Sequence, residues 1–311
     1  MPAENILSVV IPAYNEEQNV APLYQELTAV LKTTGFDYEI IFADDGSRDN
    51  TFEEIKKLSA QDPKVSGVSL SRNFGHQVAI MAGLQQAQGD LVVMMDADLQ
   101  HPPEIIPRLL EEQKKGYDIV NTRRLDAKGT GALKKGSSKM FYGILNRLSD
   151  VRIEPAAADF RLLTRKAVDA FLQFEERDRF TRGLISWMGF RQSIIEYTAS
   201  ARHSGKSKYT LKKMLRFGMD GITSFSSKPL RISFYSGFIL FIIGLVYAVY
   251  AIIRHFSDDT VPGWTSILVS VLIIGGFQLL SLGIIGEYIA RIFNETKARP
   301  IYFIKDKTSL K

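Results

Sequence analysis

The stretch Leu91 to Glu104 reads LVVMMDADLQHPPE and sets two carboxylates and an amide at close, fixed spacing. Four apolar residues, Val92 to Met95, run straight into Asp96 and Asp98. That pattern suits a strand buried on both faces that delivers polar residues at its carboxyl end. Open α/β sheets bind ligands at that edge. Alternation in an extended or turning backbone lets Asp96 and Asp98 converge on one hard cation, Mg2+ or Mn2+, with the Gln100 amide in reach as a third oxygen ligand. Such a cation offsets the charge on a diphosphate leaving group of the kind a sugar nucleotide carries. Asp-x-Asp is equally an ordinary polar turn after a strand, so the rest of the chain must decide.

A second cluster, DDGSRDNT from Asp44 to Thr51, follows another apolar run. Asp49 or Asn50 can serve as a helix cap, because short polar side chains satisfy free amides there. Asp44 and Asp45 are adjacent like charges that need a purpose or a partner. A carboxylate at such an edge can accept from the imide N–H of a uracil or from the edge of a guanine. His76, in NFGHQ, reads as an ordinary loop histidine. Residues 126–139, DAKGTGALKKGSSK, form a basic Gly-rich loop ending at Lys139, either a solvated linker or a lid that closes on phosphates. No dinucleotide fingerprint or Walker loop follows any strand, which disfavours NAD and ATP chemistry. The absence of cysteine excludes disulfides, thiolate metal sites and cysteine nucleophiles.

Strands and helices alternate to hold these clusters. Strands are predicted over Ile6 to Ile11, Tyr38 to Ala43, Val65 to Leu70, the run into Asp96, and Asp118 to Thr122, which ends at Arg123 and Arg124. Helices are predicted around Val20 to Leu31, over Phe52 to Ser59, after NFGHQ, over Glu104 to Lys115 and over Met140 to Leu148. The segment IEPAAADFRLLTRKAV leads through Asp159 and Arg161 into a further helix. This order predicts a parallel sheet with right-handed crossovers and all polar ends along one edge.

The chain has 311 residues, 45% of them hydrophobic, and a formal net charge of +5. Its mean hydropathy of −0.03 conceals two unlike parts. Ile232 to Ile253 and Trp264 to Gly286 carry no charge, and each is long enough to span a bilayer core of about 30 Å. Lys212, Lys213, Arg216, Lys228 and Arg231 precede the first span, and Arg291, Lys297, Arg299, Lys305, Lys307 and Lys311 follow the second. The positive-inside rule therefore places both flanks in the cytoplasm and the 254–263 loop outside. The N-terminus lacks a basic n-region and reads as a first strand, with no signal peptide. Leu211, Met214, Leu215, Met219, Ile222 and Phe225 fall at helical spacing and predict an amphipathic helix at the lipid surface. The expected domains are a catalytic unit over 1–208, a juxtamembrane segment over 209–231, a two-span region over 232–288 and a basic tail over 289–311.

The motifs VVIPAYNEE, ADDGSRDNT, SLSRNFG, MDADLQHPPE, ADFRLL, RFTRG and RHSGKSKY occur in this order before the two spans. In this the chain resembles the polyprenyl-phosphate glycosyltransferases of glycosyltransferase family 2, the group of dolichol-phosphate mannose synthase and bacterial undecaprenyl-phosphate (bactoprenol) glucosyltransferases. The resemblance implies a GT-A fold, a Rossmann-like and mostly parallel α/β sheet. It implies that Pro12, Tyr14 and Glu16 line the nucleotide pocket, Asp45 meets the base, Asp96 lies near the ribose or metal, and Asp98 and Gln100 hold the metal. Arg123, Arg202 and Lys208 would hold phosphates. Asp159 would act near the sugar, as a base or as an orienting group; Ala158 replaces the usual glycine of GDFRL beside it. The implied reaction is inverting hexose transfer, from UDP-glucose or alternatively GDP-mannose, to a polyprenyl phosphate at the cytoplasmic face of a bacterial membrane. A noncatalytic nucleotide-sugar-binding subunit is the alternative of another class. No nucleic-acid partner is implied, and glycines in LIIGGF and LGIIG permit close packing of spans in a homo-oligomer.

Overall fold

The computed structural model describes residues 6–125, 143, 147, 157–177, 180–198, 226–256 and 263–308. The strands are β1 Ile6–Ala13, β2 Asp37–Asp44, β3 Val65–Leu70, β4 Leu91–Met94, β5 Ile119–Leu125, β6 Ala157–Thr164, β7 Gln192–Thr198 and β8 Ile304–Lys307. The helices are α1 Glu17–Leu31, α2 Thr51–Gln61, α3 His76–Leu84, α4 Ile106–Gln113, α5 Arg165–Leu172, α6 Thr181–Trp187, α7 Lys228–Phe256 and α8 Trp264–Thr296. The described chain divides into two compact units. One takes the described residues of Met1–Ile144, Val151–Met214 and Arg299–Lys311, and the other those of Leu145–Asp150 and Leu215–Ala298.

One sheet runs through the first unit in the order β7-β5-β6-β4-β1-β2-β3-β8. β1 pairs in parallel with β2 and β4, β2 with β3, and β5 with β7. β6 runs antiparallel between β4 and β5, and β8 antiparallel beside β3. The mostly parallel α/β sheet of a GT-A domain is therefore present, with two reversed strands that the alternation of elements did not predict. In β6, Asp159 and Arg161 interrupt the apolar pattern, yet both are buried because they pair with each other. β8 lies in the stretch read as a basic tail, where IKDK has no hydrophobic signature.

Helices cover both faces. Val20, Leu23 and Leu27 of α1, Ile55 of α2 and Leu109 of α4 pack with Leu7, Val9 and Phe42 of the sheet. On the other face Ala79 and Ala82 of α3 meet Ala43 and Val68. Gly83 makes that approach close: a Cβ there would lie 2.4 Å from Cγ1 of Val10. The chain leaves β1 towards β2 and β3 on one side and reaches β4 on the other. A crevice therefore opens at the carboxyl ends of β1 and β4, where strand order reverses.

In the second unit, α7 and α8 are long and apolar enough to cross a bilayer, with candidate spans at Lys228–Tyr247 and Ile273–Thr296. Their large side chains are uncovered, Phe234 at 69% and Leu279 at 71%, so these helices do not form the core of a water-soluble domain. Residues 126–139, most of Met140 to Leu148, Arg202, Lys208 and the whole of Leu211 to Phe225 lie outside the described residues.

Candidate active site

The loops after β1 and β2 are tied together residue by residue. Asn15, at a positive φ of 56°, donates its N–H to Ser47 Oγ at 2.9 Å and accepts from the Arg48 N–H at 2.9 Å. The Glu16 N–H donates to Thr51 Oγ1 at 2.8 Å, and the Glu17 N–H to Asp49 Oδ2 at 3.3 Å. Asp49 also accepts from the Thr51 N–H at 3.1 Å, so one carboxylate serves the starts of both α1 and α2. Gly46, at a φ of 65°, passes so near Arg72 that a Cβ would lie 2.4 Å from its carbonyl carbon.

The adjacent pair Asp44 and Asp45 divides its labour. Asp44 is buried and accepts from Ser69 Oγ–H at 2.6 Å and the Ser47 N–H at 3.0 Å. Asp45 accepts from the Phe74 N–H at 2.7 Å and the Gly75 N–H at 2.9 Å, and it also lines the crevice. Burial raises its carboxyl above the ordinary value against the pull of those two amides.

The crevice is a cavity of about 370 Å³ lined by Pro12, Tyr14, Glu16, Asp45, Asn73, His76, Asp96 and Asp98 among others. Six of the residues expected from the sequence therefore meet there. Gln100 does not line it: its side chain is buried and its Oε1 accepts from Arg124 Nη1 at 2.7 Å. Arg123, on the opposite face of β5 by strand alternation, lies 3.4 Å from Glu196 Oε1. Lys139, Arg202 and Lys208 fall outside the described residues.

Among the described residues four carboxylates line this cavity, and His76 is the one lining residue of opposite sign. His76 Nε2 lies 3.2 Å from Asp96 Oδ1 and 3.8 Å from Asp159 Oδ2. Burial opposes its charged form, but the bond to Asp96 and the charges of Asp96 and Asp159 outweigh it and push the imidazole up to about 9. No sequence pattern marked this histidine, because its nearness to Asp96 depends on α3 packing across β1. His101 was also missed. It is 6% exposed, stacks on Phe160 at 5.2 Å, and accepts the Asp96 N–H on Nδ1 at 3.0 Å.

Antiparallel β6 carries Asp159 to the same edge. Met94 stands opposite Arg161, so two further residues along each strand bring Asp159 beside Asp96. Arg161 Nη2 donates to Asp159 Oδ1 at 3.1 Å, and Arg182 donates to its two oxygens at 3.2 and 3.3 Å. Burial works against the Asp159 charge, yet these guanidinium groups and His76 hold it well below the usual carboxylate range. Burial in turn lowers Arg161 to about 10, with Asp159 opposing.

Among the described residues no three His, Cys, Asp or Glu side chains form a ready metal cage. The donor set nevertheless fits a hard cation shared with a ligand. Asp98 Oδ1 accepts from the Gln100 N–H at 3.1 Å, while Oδ2 has no hydrogen bond among the described residues. One or two carboxylates completed by substrate phosphates and water suffice for Mg2+. The turn that presents Asp98 has Leu99 at a φ of 59°, a left-handed conformation costing about 1–2 kcal/mol for a residue with a Cβ.

The model for glycosyl transferase family 2 matches residues 8–172, and that of the GtrB C-terminal hairpin matches residues 228–292. An uncharacterized glycosyltransferase of Bacillus subtilis (strain 168), YkcC, is 44% identical over 299 residues, covering 96% of this chain and 93% of its own. The bactoprenol glucosyl transferase of Shigella phage SfX is 39% identical over 302 residues, covering 97% and 99%. Among solved structures, glucosyl-3-phosphoglycerate synthase from Mycobacterium tuberculosis, in complex with Mn2+, UDP-glucose and phosphoglyceric acid, aligns over 71% of this chain and 78% of its own. Its TM-score is 0.47 at 19% identity. A carboxylate-lined crevice at the switch point of the sheet, a family match across most of that sheet and a hairpin match beyond it all describe one kind of enzyme, and the chain belongs to glycosyl transferase family 2.

Proposed function

We propose that this glycosyltransferase moves a glucosyl residue from UDP-glucose to a polyprenyl phosphate, undecaprenyl phosphate in a bacterium, with inversion at the anomeric carbon. The observation that carries this reading is near end-to-end similarity to the bactoprenol glucosyl transferase of Shigella phage SfX, apolar hairpin included. The lysines and arginines that flank the two apolar helices support a reading in which the catalytic unit and both termini are cytoplasmic. The acceptor phosphate then lies at headgroup level, within reach of a domain tethered to that surface.

In this reading Tyr14 and Pro12 flank the nucleoside, and Asp45 accepts from the base with lone pairs left free by its two amide bonds. Asp98, with Asp96 beside it, holds a divalent cation, Mg2+ or Mn2+, against the diphosphate. That cation supplies charge neutralisation on the departing nucleoside diphosphate. The acceptor phosphate has a second pKa of about 6, so it is an anion near neutral pH and needs little deprotonation. A carboxylate held as low as Asp159 is a poor base, and its work is to orient the sugar and the incoming phosphate. Arg123, Lys139, Arg202 and Lys208 are assigned to phosphates. Alignment and charge stabilisation, rather than proton transfer, then account for most of the rate.

A donor panel with purified protein and undecaprenyl phosphate tests this. Lipid-dependent release of UDP from UDP-glucose is expected. Preferential turnover of GDP-mannose would replace the donor assignment, and donor binding without any nucleoside diphosphate release would make the chain a noncatalytic subunit.

A further inference from the structure

Arg124 has no part in the transfer outlined above. It stands one residue beyond Arg123 near the end of β5, and its Nη1 donates to Gln100 Oε1 at 2.7 Å. Gln100 is 6% exposed, and its Nε2 has no partner among the described residues, so Arg124 is what orients this amide. The main-chain N–H of the same Gln100 donates to Asp98 Oδ1 at 3.1 Å. Leu99, between the two, is held at a φ of 59°. A residue with a Cβ stays in that region only where its surroundings over-determine it. On one side of the turn His101 grips the Asp96 N–H, and on the other the tie is Arg124.

We propose that Arg124 is a positioning residue for the metal-bearing turn: its guanidinium fixes Gln100, and through Gln100 fixes the Asp98 carboxylate in the geometry that receives a divalent cation with a nucleoside diphosphate. This rests on the metal-assisted reading above. It gives the two consecutive arginines separate tasks, Arg123 on the face that carries Glu196 and Arg124 on the face that carries the turn. Loss of a partner that orients a metal ligand typically weakens metal affinity by about 10–100-fold.

The test is Mn2+ binding to the full-length, detergent-solubilised protein in the presence of UDP, followed by electron paramagnetic resonance of the free ion. The parent is compared with Arg124→Ala, Gln100→Ala and the double variant. Arg124→Ala should bind Mn2+ roughly tenfold more weakly, and the double variant should bind no more weakly than Gln100→Ala alone. Unchanged affinity in Arg124→Ala overturns the proposal. So does a double variant whose loss is the sum of the two single losses, because residues acting through one another do not add. Arg124→Met keeps the apolar stem and carries the same comparison if the alanine variant does not fold. A parent that binds no Mn2+ with UDP removes the metal-assisted reading itself, an outcome separate from equal binding by parent and variant.

Discussion

Two arginines on one buried carboxylate give Asp159 a charge that persists across every pH at which catalysis is normally measured. Asp159→Asn should therefore lower transfer by a similar factor from about pH 6 to 9, and recovery of the variant as pH rises would make Asp159 a base instead. The stability sign follows from the lowered native value. Stabilisation is present above the unfolded carboxyl pKa of about 3.9 and is lost as pH falls through the native value. Acid unfolding of the parent should thus be steeper than that of Asp159→Asn. The variant should also be less stable at neutral pH, by roughly 3 kcal/mol, since Arg161 would keep a buried charge with a weakened partner. Asp98→Ala should abolish transfer with little change in melting temperature, and excess EDTA should silence the parent until Mn2+ or Mg2+ is restored. Full turnover in EDTA would sink the metal assignment. Asp96 and Asp98 were legible in the sequence because a buried strand announces its own end. His76, His101, Arg161 and Arg182 were not, since each reaches its carboxylate or turn only through tertiary packing.

At the scale of elements, β1 to β4 declared themselves through apolar runs followed by polar clusters, and their common edge followed from connection rules. β6 did not, because Asp159 and Arg161 look like surface residues until each is seen to neutralise the other inside the sheet. β7 and β8 lie at the two ends of the sheet, where Ile194 is 37% exposed and IKDK is open, so neither needs a strongly apolar pattern. The turn after β2 allows a discriminating measurement. Gly46 and Gly35 both have positive φ, but a Cβ at Gly35 meets nothing within 4 Å, while one at Gly46 would lie 2.4 Å from the Arg72 main chain. Gly35→Ala should cost about 1–2 kcal/mol in chemical denaturation. Gly46→Ala should cost clearly more and loosen the loop that Asp45 holds through Phe74 and Gly75; equal costs would mean that Arg72 can move aside.

At the scale of the molecule, the second unit is a hairpin inserted between segments of the first. If α7 and α8 span a bilayer, the protein should stay in the membrane pellet after an alkaline carbonate wash and leave it only with detergent. Release by carbonate alone would make the association peripheral. The two long apolar helices were legible in the composition, whereas the strand that follows them, β8, was not. β8 pairs Val68 with Lys307, the Ser71 N–H donates to Phe303 O at 2.9 Å, and Lys56 meets Asp306 at 2.9 Å. Its place in the chain sets an order of synthesis. A ribosome delivers β1 to β7 first, then both apolar helices, and only afterwards the strand that covers the outer edge of β3. The nascent catalytic sheet must wait with that edge bare until the hairpin has emerged, and an uncovered edge is a template for pairing with other chains. Cutting the gene before the hairpin to obtain a soluble enzyme would make that interim state permanent, so a useful truncation would have to rejoin residues 299–311 to the upstream domain.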